Sequence, residues 1–478
     1  MENISTIFWF LYLIPVIFII VVIIMDKREP VRALAWICVV ALLPYAGIIL
    51  YIFFGRNFRK EKIFSRKGAR DEKLLKRLSQ RQLKLLSTAN LEGEISENKE
   101  IITLMLNNSR SLLTLHNRVK VLNNGSETFP EIIKTLHEAK QSIHLEYYII
   151  ENDALGESIA DILVSKALEG VEVRLIYDDV GSWSLSRRYI ARLQRAGVKV
   201  YCFMPVMFPL LTSKLNYRNH RKIVVVDSKV AFTGGINIAE RYIKGTKLGK
   251  WRDTHLKIEG EAVAQLQKVF ALDWFFVSRK QLLDDEKYFP QTNIDDFLPV
   301  QIASSGPDSH WASIMQAFFA AICKAKNNIF ISSPYFLPNQ AVLTALKVAA
   351  MSGVDVRILL PSRSDSKIVY WATRSYIEEL LEAGIKVYFY KKGFNHSKLI
   401  IIDENFASVG TANMDIRSFE HNFEVAALIY DKKTATELSV AFERDIDDAK
   451  QLNMTQWRKR PLRESIYESF ARLLGPLL

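Results

Sequence analysis

The chain opens with two long uncharged stretches. Nineteen residues from Ile7 to Met25 carry no charge, and after the loop Asp26 to Arg32 a second uncharged run extends from Ala33 to Phe54. Each approaches or exceeds the roughly 20 helical residues that cross the hydrocarbon core of a bilayer. The pattern therefore predicts two membrane-spanning helices. A secretory signal would have a basic start and a shorter apolar stretch ending in small residues, and no second span would follow it. Pro15 and Pro44 are kinks that such helices tolerate. Between Gly55 and Asn90 stand twelve lysines and arginines against three acids. Clustered juxtamembrane cations are attracted to anionic headgroups, and the same asymmetry places everything after the second run in the cytoplasm.

Beyond the polar stretch Glu92 to Glu100 the pattern becomes soluble α/β, and it occurs twice. In the first copy Val119 to Leu122 reads as a strand, Asn123-Asn124-Gly125 as a turn, and Thr128 with Glu131 as a capping box opening a helix. The run Ile143 to Ile150 reads as a buried strand, followed by a helix over Leu155 to Leu168 and further strands at Val171 to Ile176 and Val198 to Tyr201. The second copy repeats this order with Val300 to Ala303, a helix through Met315 to Ala325, Ile329 to Ser332, Val354 to Leu359 and Ile385 to Tyr388. Such a repeat implies duplicated domains, and strands alternating with helices imply a largely parallel sheet in each.

Composition agrees with this reading and narrows it. With 478 residues, 49% hydrophobic and 24% charged, the chain is neither disordered nor a single small module. Its three cysteines, Cys38, Cys202 and Cys323, are far apart and form no C-x-x-C pair, so a structural disulfide or a cysteine-held metal is not expected. The net charge of +12 calls for an anionic partner. Nine of those charges fall in the juxtamembrane segment, which favours a lipid surface over nucleic acid.

Each copy carries one cluster of chemistry-bearing residues. The first reads Asn219-His220-Arg221-Lys222, then Asp227, Gly234 and Asn237; the second reads Asn395-His396-Ser397-Lys398, then Asp403, Gly410 and Asn413. All six matching positions are displaced by the same 176 residues. On a strand, His220 and Lys222 project to one side, as do His396 and Lys398, while Asp227 and Asp403 have the opposite parity. Asp227 and Asp403 are thus candidates for the site by motif and for a structural role at a strand end by geometry. A histidine beside a cation and a turn amide suits a phosphate: imidazole can attack or protonate, while lysine and asparagine stabilise the charged oxygens. No cluster of carboxylates suggests a divalent metal, and no cofactor is expected.

These paired H-x-K-x4-D motifs resemble those of the phospholipase D superfamily, whose two motifs meet at the interface of two similar α/β domains. With the two N-terminal runs, Trp251 to His255, Asn422-Phe423-Glu424 and the C-terminal segment, the likeness narrows to the bacterial cardiolipin synthases and covers nearly the full length. It implies that one histidine forms a covalent phosphohistidine and that the other acts as acid and then base, without a metal. It further implies phosphatidyl transfer between two phosphatidylglycerol molecules, giving cardiolipin and glycerol. Hydrolysis to phosphatidic acid and transfer from phosphatidylethanolamine are the alternatives. The family tilts the choice of nucleophile to His220, with His396 as acid–base residue. It also supplies a downstream acid for each histidine: Asp253 is expected to orient His220, and Glu424 to orient His396. A nuclease of the same superfamily is disfavoured by the charge distribution.

The expected organisation is two transmembrane helices over 1–54, a basic juxtamembrane segment over 55–100, phospholipase D-like domains over 101–290 and 291–450, and an amphipathic helix within 451–478. That last helix has Leu462, Ile466, Phe470, Leu473 and Leu474 at helical spacing, and its sequence fits packing on the second domain as well as a membrane interface. His255 is a further candidate for the site. The partners expected are anionic phospholipids and a membrane, with no nucleic acid; the oligomeric state is left open.

Overall fold

The computed structural model describes residues 2–25, 30–43, 45–51, 69–88, 93–206 and 217–475. These fall into two compact units, Met1–Arg66 with Val206–Asn216, and Lys67–Pro205 with Tyr217–Leu478. In the first, helices Glu2–Met25 and Pro30–Leu42 are followed by a short helix Ala46–Leu50. Val16, Ile19 and Ile23 pack there with Val40 and Tyr51. Among the described residues no helix is long and apolar enough to cross a membrane. Within the second expected span the described helices have 13 and 5 residues, and the side chains of residues 2–12 in the first lie outside those described.

The second unit is built on one fifteen-stranded sheet whose two halves repeat each other. In the first half lie β1 (Leu113–Asn123), β2 (Ser142–Tyr147), β3 (Glu172–Asp178), β4 (Lys199–Phe203), β5 (Ile223–Val226), β6 (Val230–Gly234), β7 (Lys250–Arg252) and β8 (Thr254–Gly260). The second half has β9 (Phe297–Ser305), β10 (Asn328–Ser332), β11 (Phe336–Leu337), β12 (Asp355–Pro361), β13 (Lys386–Tyr390), β14 (Gly393–Asn395), β15 (Leu399–Ile402), β16 (Phe406–Gly410), β17 (Met414–Asp415), β18 (Glu424–Ile429) and β19 (Ala449–Gln451). Outward from the centre the order is β1-β8-β6-β5-β2-β3-β4 on one side and β9-β18-β16-β15-β10-β12-β13 on the other, with β19 at the far edge. The halves join where β1 pairs antiparallel with β9, Leu113 opposite Gln301.

Each half-sheet is mixed, where the sequence pattern suggested parallel strands. Only β2-β3-β4 and β10-β12-β13 run parallel; β5-β6 and β15-β16 are antiparallel hairpins. The reason is local. Asp227 and Ser228 have φ of 53° and 55°, and Asp403 and Glu404 have 51° and 53°. Two successive positive φ values make the tight turn that reverses a chain within one sheet.

Among the described residues of this unit, three apolar cores stabilise the sheet. One lies under the first half around Leu145, Leu175 and Phe232, and one under the second around Ile331, Ile358 and Ile400. The third lies beneath the joint and mixes residues of both, including Val225, Leu256, Val300 and Ile401. Helix Lys99–Asn108 departs from the expected boundary at residue 101: Ile101, Ile102, Met105 and Leu106 pack into the second half's core. Helix Ala69–Thr88 joins them through Leu86, and Gln82 bonds both backbone groups of Leu113 at 2.9 and 3.0 Å. Part of the basic segment is therefore docked on protein, with Lys76, Arg77 and Arg81 left exposed. The helix expected to open at Thr128 begins at Asn124, with Glu127 accepting from the Asn123 N–H at 2.8 Å.

The motif aspartates do not enter the site. Asp227 accepts the backbone N–H groups of Lys140, Gln141 and Ser142 at 2.9, 2.7 and 2.9 Å, and Asp403 does the same for Lys326, Asn327 and Asn328 at 2.8, 2.7 and 3.0 Å. Each clips its hairpin to the start of the neighbouring strand, and aspartate tolerates the positive φ this requires. Asp227→Ala leaves three donors without this acceptor. It is expected to destabilise the folded chain by about 2 to 4 kcal/mol, read as a lower denaturation midpoint, while the molecules that remain folded keep their activity. A variant of normal stability and no activity would return Asp227 to the chemistry.

Candidate active site

Both histidines precede their strands rather than lying on them. Asn219 bends the chain there by accepting from the Arg221 N–H at 3.1 Å, and Asn395 does so from the Ser397 N–H at 3.3 Å. Their amide nitrogens are held in turn by Glu146 and by Ser332. The lysines fold back, Lys222 Nζ donating to the His220 carbonyl at 2.6 Å and Lys398 Nζ to the His396 carbonyl. The shared strand face inferred from parity is thus replaced by a turn that folds each ammonium against its own histidine.

The two bends dock on the opposite half. His220 donates its backbone N–H to Phe423 at 2.9 Å, and Phe423 returns a bond to Arg218 at 2.9 Å. On the other side β14 pairs with β7, Asn395 opposite Arg252, and His396 donates to the Arg252 carbonyl at 2.7 Å. Phe423 and Arg252 each stand one residue before an acid. The pairing therefore carries Glu424 to His220 and Asp253 to His396, the reverse of the assignment expected from sequence order. His220 Nδ1 lies 3.0 Å from both Glu424 oxygens, and His396 Nδ1 lies 2.6 Å from Asp253 Oδ2.

The acids are held differently. Glu424 is bonded by the Thr411 hydroxyl and by Asn422 Nδ2 at 3.2 Å. At the position equivalent to Thr411 stands Gly235, where an added Cβ would fall within 2.1 Å of Asp253 Oδ1; the glycine leaves room for that carboxylate. Asp253 takes the Thr254 N–H at 2.7 Å. Burial alone would raise both acids. It does raise Asp253, whereas the pairing of Glu424 with His220 outweighs burial and holds that acid below its usual range.

Burial also favours neutral imidazoles. It lowers His220 to about 4, against the opposing pull of Glu424, and His396 well below its usual value, helped by the Lys398 charge. The same desolvation brings Lys222 down to about 7 and Lys398 to about 8. Two buried ammonium groups beside two neutral histidines form a site that attracts an anion.

His220 and His396 line one cavity of about 490 Å³ together with Asn237, Asn413, Arg218 and Arg417. Asn237 is committed to structure, donating to the Tyr242 hydroxyl at 2.7 Å and accepting from Ile149 N at 3.1 Å. Asn413 Oδ1 is buried without a hydrogen-bond partner. Lys222 and Lys398 lie behind the histidines. His255 is fully buried on β8, does not line the cavity, and has both ring nitrogens unpaired. Among the described residues no group of three His, Cys, Asp or Glu side chains is placed to hold a metal ion.

Sequence reasoning missed the aromatic walls. Tyr148 and Tyr242 pack edge-on to His220 and His396, and Trp251 also flanks His396. It also missed Asp365, Asp415 and Tyr335, which line the second half's side of the cavity; burial raises Asp415 to about 6. These positions have no equivalents in the motif repeat, so only their shared cavity identifies them.

The crossed pairing is testable through the imidazoles. Glu424→Gln removes the charge that raises His220, so His220 is expected to titrate lower while His396 is unmoved. Long-range ¹⁵N spectra of ring-labelled histidines in micelles should show this, and a response at His396 instead would restore the uncrossed assignment. The lysines set a second expectation. Their cations are lost as pH rises through the depressed values, so kcat/KM should fall above about pH 7 to 8. A profile flat to pH 10 would show that neither ammonium acts on substrate.

The geometry agrees with what the chain resembles. Residues 132–274 and 318–446 match the family described as cardiolipin synthase, PLD-like domain, and residues 13–56 match the phospholipase D-nuclease N-terminal family. A cardiolipin synthase of Alkalihalophilus pseudofirmus is 44% identical over 98% of this chain and 93% of its own length. One from Staphylococcus aureus is 41% identical over 99% and 97%. The crystal structure of phosphatidylserine synthase from Haemophilus influenzae shares the fold with a TM-score of 0.61 at 14% identity, over 80% of this chain and all of that one. With both half-sites intact and near full-length similarity to these enzymes, the chain belongs to the cardiolipin synthase family of phospholipase D-like proteins.

Proposed function

We propose that the chain is a phosphatidyltransferase that joins two phosphatidylglycerol molecules into cardiolipin and releases glycerol. The observation that carries this reading is the pair of histidines lining one cavity, each held at Nδ1 by a buried acid from the other half. Nδ1–H bonded to a carboxylate leaves Nε2 as the reactive nitrogen. His220 Nε2 attacks the donor phosphorus, and the bond from phosphorus to the glycerol oxygen breaks as His396 gives that oxygen a proton. The terminal hydroxyl of a second phosphatidylglycerol then loses its proton to His396 and attacks phosphorus. The P–N bond breaks and His220 is restored. Lys222 and Lys398 offset charge on the phosphate oxygens, and Asn413 Oδ1, which has no partner, can accept from a lipid hydroxyl. Burial first, and the lysine charges after it, hold His396 down; a phosphodiester anion in the cavity counters the lysines and raises His396 toward its acid form. The choice of His220 as nucleophile rests on the family resemblance.

A membrane setting supports transfer over hydrolysis, because a lipid hydroxyl held near a water-poor site outcompetes water. The apolar runs of 1–54 and the cations from Arg56 to Lys84 favour an anchored chain with its catalytic unit on the cytoplasmic, anionic surface.

Purified full-length chain given phosphatidylglycerol vesicles should produce cardiolipin and glycerol in equal amounts, with no requirement for a divalent ion. Phosphatidic acid as the sole lipid product would make it a hydrolase, and loss of turnover in chelator with rescue by one divalent ion would overturn the mechanism. With a donor bearing a good leaving group, His396→Asn should accumulate an alkali-stable phosphohistidine at His220. Label at His396 in a His220→Asn protein, with none at His220 in the reciprocal variant, would exchange the roles.

A further inference from the structure

The C-terminal helix Leu462–Leu474 is docked with its amphipathic faces reversed. Its inward side is polar: Glu464 and Glu468 receive Arg374 at 2.6 and 3.0 Å, and Arg460 reaches Glu468 at 3.0 Å. Arg472 reaches back to Glu379 at 2.6 Å and to the Ser375 carbonyl at 3.0 Å. Glu468 is only 2% exposed, while Leu462, Phe470 and Leu473 are 76%, 67% and 76% exposed, with Ile466 and Leu474 also open. Amphipathic helices normally bury the apolar stripe. Here ion pairs fasten the helix and the stripe faces outward.

The helix lies beside the cavity. It packs on helix Lys367–Arg374, with Tyr467 against Trp371, and the segment just before and within that helix contributes Ser366 and Val369 to the cavity wall. Gly475, directly after it, approaches the cavity residue Leu337. Other exposed apolar side chains stand next to wall residues: Ile368 between Ser366 and Val369, and Ile243 after Arg241 and Tyr242. Arg363, Lys367, Lys459 and Arg463 are exposed around this surface.

We propose that the outward face of Leu462–Leu474, with Ile368, inserts into the headgroup–acyl boundary of an anionic bilayer and sets the cavity mouth against the lipid surface. This deepens the function proposed above and rests on it. A cavity of about 490 Å³ accommodates a phosphodiester headgroup but not the acyl chains of two lipids, so the chains stay in the bilayer while the headgroups reach the histidines. An apolar stripe bordered by cations is what such a boundary binds. The attachment differs from that of the N-terminal runs: it orients the site and leaves anchoring to them.

The test uses the full-length chain with Phe470→Ser and Leu473→Ser combined, both at exposed positions. On vesicles of phosphatidylglycerol the apparent KM should rise about tenfold with kcat kept. On a short-chain phosphatidylglycerol below its micellar concentration, both constants should match the unaltered chain. Phe470→Trp should retain the vesicle KM. An unchanged vesicle KM, equal losses on both substrates, or a changed oligomeric state with vesicle kinetics intact would each overturn the proposal. The last outcome would assign the face to a second copy of the chain. If the unaltered chain makes no cardiolipin from either substrate, it is the function reading that fails.

Discussion

Two short backbone pairings across the pseudo-twofold govern this site. Phe423 against Asn219 and Arg252 against Asn395 are contacts of a few residues, yet each carries the neighbouring acid into the opposite half. Without them Glu424 and Asp253 would be unpaired buried carboxylates, and a buried charge without its partner is costly. The large joint between β1 and β9 keeps these pairings in register. The core beneath that joint draws on both halves, so catalytic geometry and the stability of the interface are linked.

The electrostatics depend on the same closure. Burial lowers all four basic groups of the site, the two histidines and the two lysines. Ion pairs nearby are complete: Arg218 with Asp178, Arg221 with Asp273, and Arg252 with Asp445 at 2.8 Å. The arginines fix the bends and keep their charge when buried, whereas the two lysines, set behind the histidines, are ammonium groups that burial brings toward neutrality.

Much of this was legible in the chain. The repeat at a constant offset of 176 identified both half-sites, and the family resemblance supplied Asp253 and Glu424 as the acids downstream of the motifs. What failed was the pairing. Sequence distance assigns an acid to the histidine before it, whereas the bends at Asn219 and Asn395 send each histidine across the interface. Strand parity misplaced the lysines for a related reason, since the regular ladder starts only at Ile223 and Leu399. The motif grouped Asp227 and Asp403 with the chemistry while parity pointed to a structural role, and both residues sit beyond the strand, in the turn where direction reverses. The cavity walls at Tyr148 and Asp365 come from loops, and that at Tyr242 from the one-turn helix Arg241–Lys244, none with a repeated pattern to read. The mixed sheet was missed because the three-residue turns Asp227–Lys229 and Asp403–Asn405 place Asp-Ser and Asp-Glu rather than glycine at their positive-φ positions.

Gly235 and Thr411 occupy equivalent places and do opposite things, one making space for Asp253 and the other binding Glu424. Two identical half-molecules joined about a true twofold would have to carry the same residue at both places, and so the same basicity in both histidines. Fusing the halves into one polypeptide removes that obligation. A reaction that asks one imidazole to bond phosphorus and the other to carry a proton can then be served by two histidines tuned apart, each through a residue encoded in only one copy.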